Sequence, residues 1–351
     1  MRRGLMAWSA EEVPESILAE RLTRLRDAMR QHGLDALIIY TNFPRPSAVT
    51  YVTAFTPYWA DALLFVPREG EPVFATALSK RVAKWIQSVK PVAELINTPR
   101  PGAIVGERLA ADPGVKTVGI LEFDALPNGL YDDLAAAVPQ VKFVEGGPAF
   151  RAARSRIDAA ERGLIVRADA IAEAALQQID VPSIGDAGAA VGAVEKSARL
   201  AGAEEAYIHI ATDLAANTGF ARRSGTEPLG RRFALRASVA YKGIWVRRAR
   251  TFGPGPDGDC WLTDVLAALA PDDPIGRQLA AKLPRGARLE SFLAESSIGS
   301  YPLEAVATTA NDAGVPLGSL MVLTVRLTLE NVPWIGGGSV IVGAGALRAA
   351  A

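Results

Sequence analysis

Histidine and cysteine are scarce in this 351-residue chain: only His32, His209 and Cys260 are present. A lone cysteine excludes an intramolecular disulfide framework and any multi-cysteine zinc site. Cys260 is expected as a small buried hydrophobe. The signatures His-Glu-x-x-His and Gly-x-Ser-x-Gly are also missing. Neither sign of charge is in excess, with 38 basic and 38 acidic residues, so no bulk field recruits nucleic acid or an anionic membrane. The basic pairs Arg222-Arg223, Arg231-Arg232 and Arg247-Arg248 are too scattered to form a nucleic-acid stripe. No apolar run reaches membrane-spanning length, and the basic start Met1–Trp8 lacks the apolar run of a signal peptide. A cytoplasmic protein is expected. The glycine-rich stretch Gly336–Gly345 lacks the lysine and hydroxyl of a phosphate loop.

A hydrophobic content of 49% with 22% charged residues describes a well-packed globular chain, long enough for two domains. Ser16 is placed to cap a helix running to Gln31, with Leu18, Leu22, Leu25 and Met29 on one face and Gly33 after its end. His32, at the end of that helix, is favourably placed near its C-terminus. Ala36–Tyr40 reads as a buried strand, and Val49–Phe55, Ala60–Val66, Pro72–Thr76 and Thr117–Leu121 as further strands. Helical periodicity covers 78–89 and 129–138. Strands mixed with helices imply an α/β first domain over residues 1–147. The turn cluster Gly146-Gly147-Pro148 marks a boundary, and residues 148–351 form the second domain. There, helices are expected over 149–180 and 183–200, a strand over Ala206–Thr212, and a hairpin from Phe233–Val239 and Ile244–Phe252. Two short helical patterns follow, Trp261–Leu269 and Pro274–Leu283.

The phrase Leu235–Phe252 contains Tyr241, Gly243, Arg250, Thr251 and Phe252 in the frame Leu-Asp-x-Gly-x-x-Tyr-x-Gly-Tyr-x-x-Asp-x-x-Arg-Thr-Phe. It resembles the signature of the pita-bread metallopeptidases: aminopeptidase P, prolidase, methionine aminopeptidase and their relative creatinase. The first domain resembles the amino-terminal domain of the creatinase and aminopeptidase P group through three phrases in order. These are Arg21–Met29, Gly33–Ile39 and Tyr51-Val-Thr-Ala-Phe55. The resemblance implies an α/β and α+β architecture: a creatinase-like N-terminal α/β domain followed by a pita-bread domain. That second domain is shortened between Phe252 and Ser296, where the family carries a longer helical insert.

The family holds two metals with two Asp, one His and two Glu. By the resemblance those five positions fall on Arg236, Arg247, Ser296, Arg326 and Gly337, the last within Gly336–Gly338. Divalent ions need carboxylate and imidazole donors. A guanidinium ~4 Å from a unit positive charge costs roughly 4 kcal/mol at an effective dielectric of about 20, and a divalent ion doubles that. No metal and no other cofactor is therefore expected. The family's substrate-side histidines fall near Phe220 and Ala221 and on Leu303, while the neighbouring Glu304 retains its acid. Glu304 and His209 are the candidates for acid–base chemistry, although a core or rim histidine is the commoner role for His209. A displaced ligand set of Glu295, Glu304 and Glu330 would contain no histidine and would face the three arginines.

Two functions are compatible with these residues. The first is a metal-free, catalytically inert member serving as a binding or regulatory subunit, since the superfamily includes a histone-chaperone subunit that binds protein through this fold. The resemblance implies a dimer, either with itself or with a metal-bearing relative. The second is a metal-independent hydrolase or lyase acting on a small anionic amino-acid-derived substrate. Arg236, Arg247 and Arg326 would bind that substrate. Neither function involves nucleic acid or membrane.

Overall fold

A computed structural model describes residues 8–56, 60–89, 94–344 and 347. The chain divides into two compact units, one spanning Arg3–Ala160 with Ile298–Pro302, the other Glu161–Ser297 with the residues from Leu303 onward. The turn at Gly146–Pro148 thus opens a helix of the first unit, and the break falls after Ala160.

The first unit contains α1 (Glu15–Gln31), β1 (Ala36–Thr41), α2 (Ser47–Thr53), β2 (Ala62–Pro67), β3 (Val73–Thr76) and α3 (Ala83–Val89). It continues with β4 (Glu94–Asn97), α4 (Pro101–Ala110), β5 (Thr117–Leu121), α5 (Asn128–Ala137), β6 (Lys142–Glu145) and α6 (Gly147–Arg154). Its six strands form one mixed sheet in the order β4-β3-β2-β1-β5-β6. The central strand β1 is buried along its whole length, as a strand covered on both faces must be. Leu37 and Ile39 point to a core with α1, α2 and α6, whereas Ala36, Ile38 and Tyr40 point to the core under α4 and α5.

Two expectations fail here, and two strands lie where none was expected. Ser16 does not cap α1, whose N-cap is Pro14 without any side-chain hydrogen bond. Residues 49–55 are not a strand: Ser47–Thr53 is a helix with every residue buried. Its run of Val, Thr and Tyr mimics a strand, but Thr50 and Thr53 turn their hydroxyls back to the carbonyls of Pro46 and Val49, which suits a helix enclosed on all sides. β4 and β6 are short, half-buried strands that show no apolar run in sequence.

The second unit begins with α7 (Ala159–Gln177, whose first residues straddle the break) and α8 (Ala187–Leu200), capped by Asp186. Then come β7 (Glu205–Ala211), β8 (Phe233–Tyr241), β9 (Ile244–Phe252), α9 (Asp259–Ala267) and α10 (Ile275–Ala281). The last strands are β10 (Arg288–Ser296), β11 (Glu304–Thr308), β12 (Leu320–Leu329) and β13 (Val332–Ile341). The seven strands form an antiparallel sheet in the order β11-β10-β12-β13-β9-β8-β7. The tight turns at Lys242-Gly243 and Glu330-Asn331 place both central residues at positive φ, the geometry that matches strand twist in two-residue hairpins.

Strand alternation sorts this sheet into two faces. On the helix face, Met321, Leu323, Val325, Trp334 and Val340 pack against Leu262, Val265 and Leu266 of α9. On the second face, Ala234, Ala249 and Ile335 gather with Ala211, Leu214 and Phe220. Cys260 is exposed, contrary to expectation, because α9 buries the side carrying Leu262, Val265 and Leu266 instead. No described helix is long and apolar enough to cross a membrane.

Candidate functional site

The second face of the antiparallel sheet gathers the charged residues that the sequence singled out. His209 of β7 stands opposite Arg236 of β8, and Arg247 of β9 stands opposite Ser238 of β8, so all four share one face. On the neighbouring strands Arg326 pairs in register with Ser291 and with Ile335, while Gly337 pairs with Ala249 and Thr324. Residues in register share a face, so Arg236, Arg247, Arg326 and Gly337 all belong to this surface.

Arg247 donates from Nε to Ser238 Oγ at 2.9 Å and forms an ion pair through Nη1 with Glu295 Oε2. Both side chains are largely shielded, 17% exposed for Arg247 and 10% for Glu295. Glu295 is thus the counter-ion of the cluster, a role the sequence does not reveal. The Arg236 guanidinium lies over the Phe220 ring at 4.9 Å from its centroid, and its Nε is buried without a hydrogen-bond partner among the described residues. Burial first, and then the positive charge of Arg247, push the Arg236 pKa down to about 10; Glu295 opposes this and Arg326 adds to it. Arg236 still carries its charge at neutral pH. Burial also lowers the pKa of His209, assisted by Arg236, Arg247 and Arg222, so this ring is neutral at pH 7.

The remaining candidates lie elsewhere. Ser296 is buried at the end of β10 and donates its hydroxyl to the Leu320 carbonyl at 2.6 Å. Glu304 stands opposite Ser296, one position beyond Glu295, so strand alternation turns it to the other face from the Arg247–Glu295 pair. Glu330 occupies the exposed tip of the β12–β13 hairpin, so Glu295, Glu304 and Glu330 do not assemble. Among the described residues no three His, Cys, Asp or Glu side chains are grouped so as to hold a metal ion.

The five positions that the resemblance assigns to metal ligands do not fit a divalent pair. Three carry guanidiniums, one a hydroxyl engaged with a carbonyl, and Gly337 has no side chain. Gly337 is also sterically closed: an added Cβ would lie 2.9 Å from the Leu323 carbonyl oxygen and 3.2 Å from Ala249 Cβ. Gly337→Ala is accordingly expected to destabilise by about 1–3 kcal/mol through overpacking. Urea unfolding measures it, and an unchanged midpoint would mean that β13 separates from β9 more readily than this contact implies.

The helix face bears a different charge pattern. A cleft of about 230 Å³ is bordered by Glu173, Arg248, Arg250, Asp259 and Thr263. Its cations are already paired: Arg248 makes two bonds to Asp169, at 2.9 and 2.7 Å, and approaches Glu173, and Arg250 pairs with Asp259 at 3.2 Å. Burial and the neighbouring Asp257 raise the Asp259 pKa to about 6.

Residues 21–156 match the family model described as the Creatinase/Prolidase N-terminal domain. Over that segment the chain is similar to the creatinases and prolidases. The prolidase from Pyrococcus horikoshii OT3 superposes with a TM-score of 0.70 at 13% identity, covering 93% of this chain and 96% of that one. The X-Pro aminopeptidase from Thermotoga maritima MSB8 gives 0.69 at 16% identity, with coverages of 94% and 98%. The N-terminal domain of the FACT complex subunit SPT16 from Cicer arietinum gives 0.60 at 16% identity, with coverages of 93% and 94%. No curated protein matches by sequence. At these identities the structural matches establish the shared fold. The creatinase-type amino-terminal domain and the prolidase-like, pita-bread architecture both follow the expectation from sequence.

Proposed function

We propose that this creatinase/prolidase relative is a metal-free, cytoplasmic pseudoenzyme that works by binding, as a regulatory or structural subunit. The observation that carries the reading is the chemistry of the five ligand positions: Arg236, Arg247, Ser296, Arg326 and Gly337 supply no donor set for a divalent ion. One similar fold belongs to a protein named as a subunit of a complex, which is in keeping with a binding role. The partner is a second copy of the chain or a metal-bearing relative of the same fold.

Two measurements test this. Hydrolysis of Xaa-Pro dipeptides with added Mn²⁺ or Co²⁺ is expected to stay at the level of a protein-free control. Native mass spectrometry of the protein taken from its own host is expected to show a dimer without bound metal. Stoichiometric metal together with metal-dependent peptide hydrolysis would refute the reading.

A second reading, a metal-free hydrolase or lyase on a small anionic substrate, draws on the neutral His209 beside Arg236 and Arg247. It would need turnover that Mn²⁺ does not change and that His209→Gln abolishes.

A further inference from the structure

The arginines of the central strands differ in how their charge is met. On β9, Arg248 and Arg250 pair with carboxylates on the helix face, and Arg247 pairs with Glu295 on the second face. Arg232, just ahead of β8, donates to the carbonyls of Pro333, Pro254 and Pro256. Arg236 and Arg326 have neither. Among the described residues no carboxylate pairs with either guanidinium, and the one carboxylate of the cluster is bound to Arg247. Among the described residues, the polar atoms buried on the same face without a hydrogen-bond partner include Arg236 Nε, His209 Nδ1 and Thr324 Oγ1, of which Thr324 lies two residues before Arg326 on the same strand.

We infer that the second face of the antiparallel sheet holds a binding site for a small oxyanion, a carboxylate or phosphate group, anchored by Arg236 and Arg326. The inference rests on the metal-free reading, because a cation and this anion would compete for one surface. Buried polar groups in folded proteins nearly always have partners, and a partly buried guanidinium without a counter-charge is costly. An oxyanion satisfies both needs at once through charge-assisted, fork-shaped hydrogen bonds. The Arg247–Glu295 pair leaves the face net positive while fixing one wall. Phe220, Ala249 and Ile335 make the adjoining surface apolar, so a ligand with a short hydrocarbon part beside its charged group fits better than a bare ion. The neutral His209 adds no competing charge.

Calorimetric titration of the full chain at low salt, once with inorganic phosphate and once with succinate, tests the site. One binding event per chain is expected for at least one probe, and whichever binds assigns the anion class. Arg236→Gln and Arg326→Gln should each weaken it more than about tenfold, the worth of one charge-assisted bond. Arg277→Gln, at a side chain 71% exposed on α10, should leave it unchanged. Arg326→Lys, which keeps the charge and loses the fork, should weaken binding less than Arg326→Gln and serves if Arg236→Gln does not fold. Absence of binding at millimolar probe, or equal binding by wild type and both glutamine variants, would overturn the site. A parallel Mn²⁺ titration separates the two readings. Tight 1:1 Mn²⁺ binding would refute the metal-free reading, whereas a chain that binds neither Mn²⁺ nor anion refutes the anion site alone.

Discussion

Glu295→Gln is expected to destabilise the protein by about 3–5 kcal/mol, the cost of removing one member of a buried ion pair. Glu295 is the counter-ion bound to Arg247, and it also attracts Arg236. Removing its charge leaves Arg236, Arg247 and Arg326 facing one another with nothing between them to offset repulsion. Arg247→Gln should cost less, because Arg236 remains to attract Glu295. The double replacement Arg247→Met with Glu295→Leu should recover most of the loss, since a buried pair exchanged for apolar groups of similar volume is often near neutral. Urea unfolding of Arg247→Met, Glu295→Leu and the double variant gives the coupling energy directly. If Glu295→Gln cost less than Arg247→Gln, Glu295 would not be the charge that holds the cluster together.

Trp334→Ala is the other large effect, at about 3–5 kcal/mol, because it empties the largest fully buried side chain of the second unit. The indole packs edge-on against Trp261 at 6.3 Å and donates Nε1 to Asp257 Oδ1 at 3.2 Å. It also lies over Gly258 and Gly336, where a Cβ would strike the ring, so those glycines are the floor it rests on. The cavity left by alanine cannot be closed by neighbours that have no side chains. At about 2–4 °C per kcal/mol for a unit of this size, the melting temperature should fall by roughly 10 °C. A loss below about 1 kcal/mol in urea would show that α9 collapses into the space.

The fold was largely legible because its strongest signals are local. The apolar run of β1, the periodicity of α1, and the hairpin of β8 and β9 each lie within a few turns of chain, and each appears where expected. Errors arose where the environment overrides local preference. Residues 47–53 carry strand-forming side chains yet are helical, because an enclosed helix can bury β-branched residues on every side. Cys260 carries an apolar side chain, but which side of α9 meets the sheet is set by Leu262, Val265 and Leu266.

The candidate site divides in the same way. Residue type alone determined that Arg236, Arg247, Ser296, Arg326 and Gly337 offer no ligands for a divalent pair, because donor chemistry is a property of the side chain and not of its surroundings. Only the tertiary structure decided how the arginines are met: Glu295, 48 residues from Arg247, becomes its partner through strand order. The same strand order sends Glu304 to the other face, leaves Arg236 and Arg326 without an ion-paired carboxylate among the described residues, and closes Gly337 against Leu323 and Ala249. Charge pairing and steric room depend on distances between strands far apart in sequence, which no local pattern records.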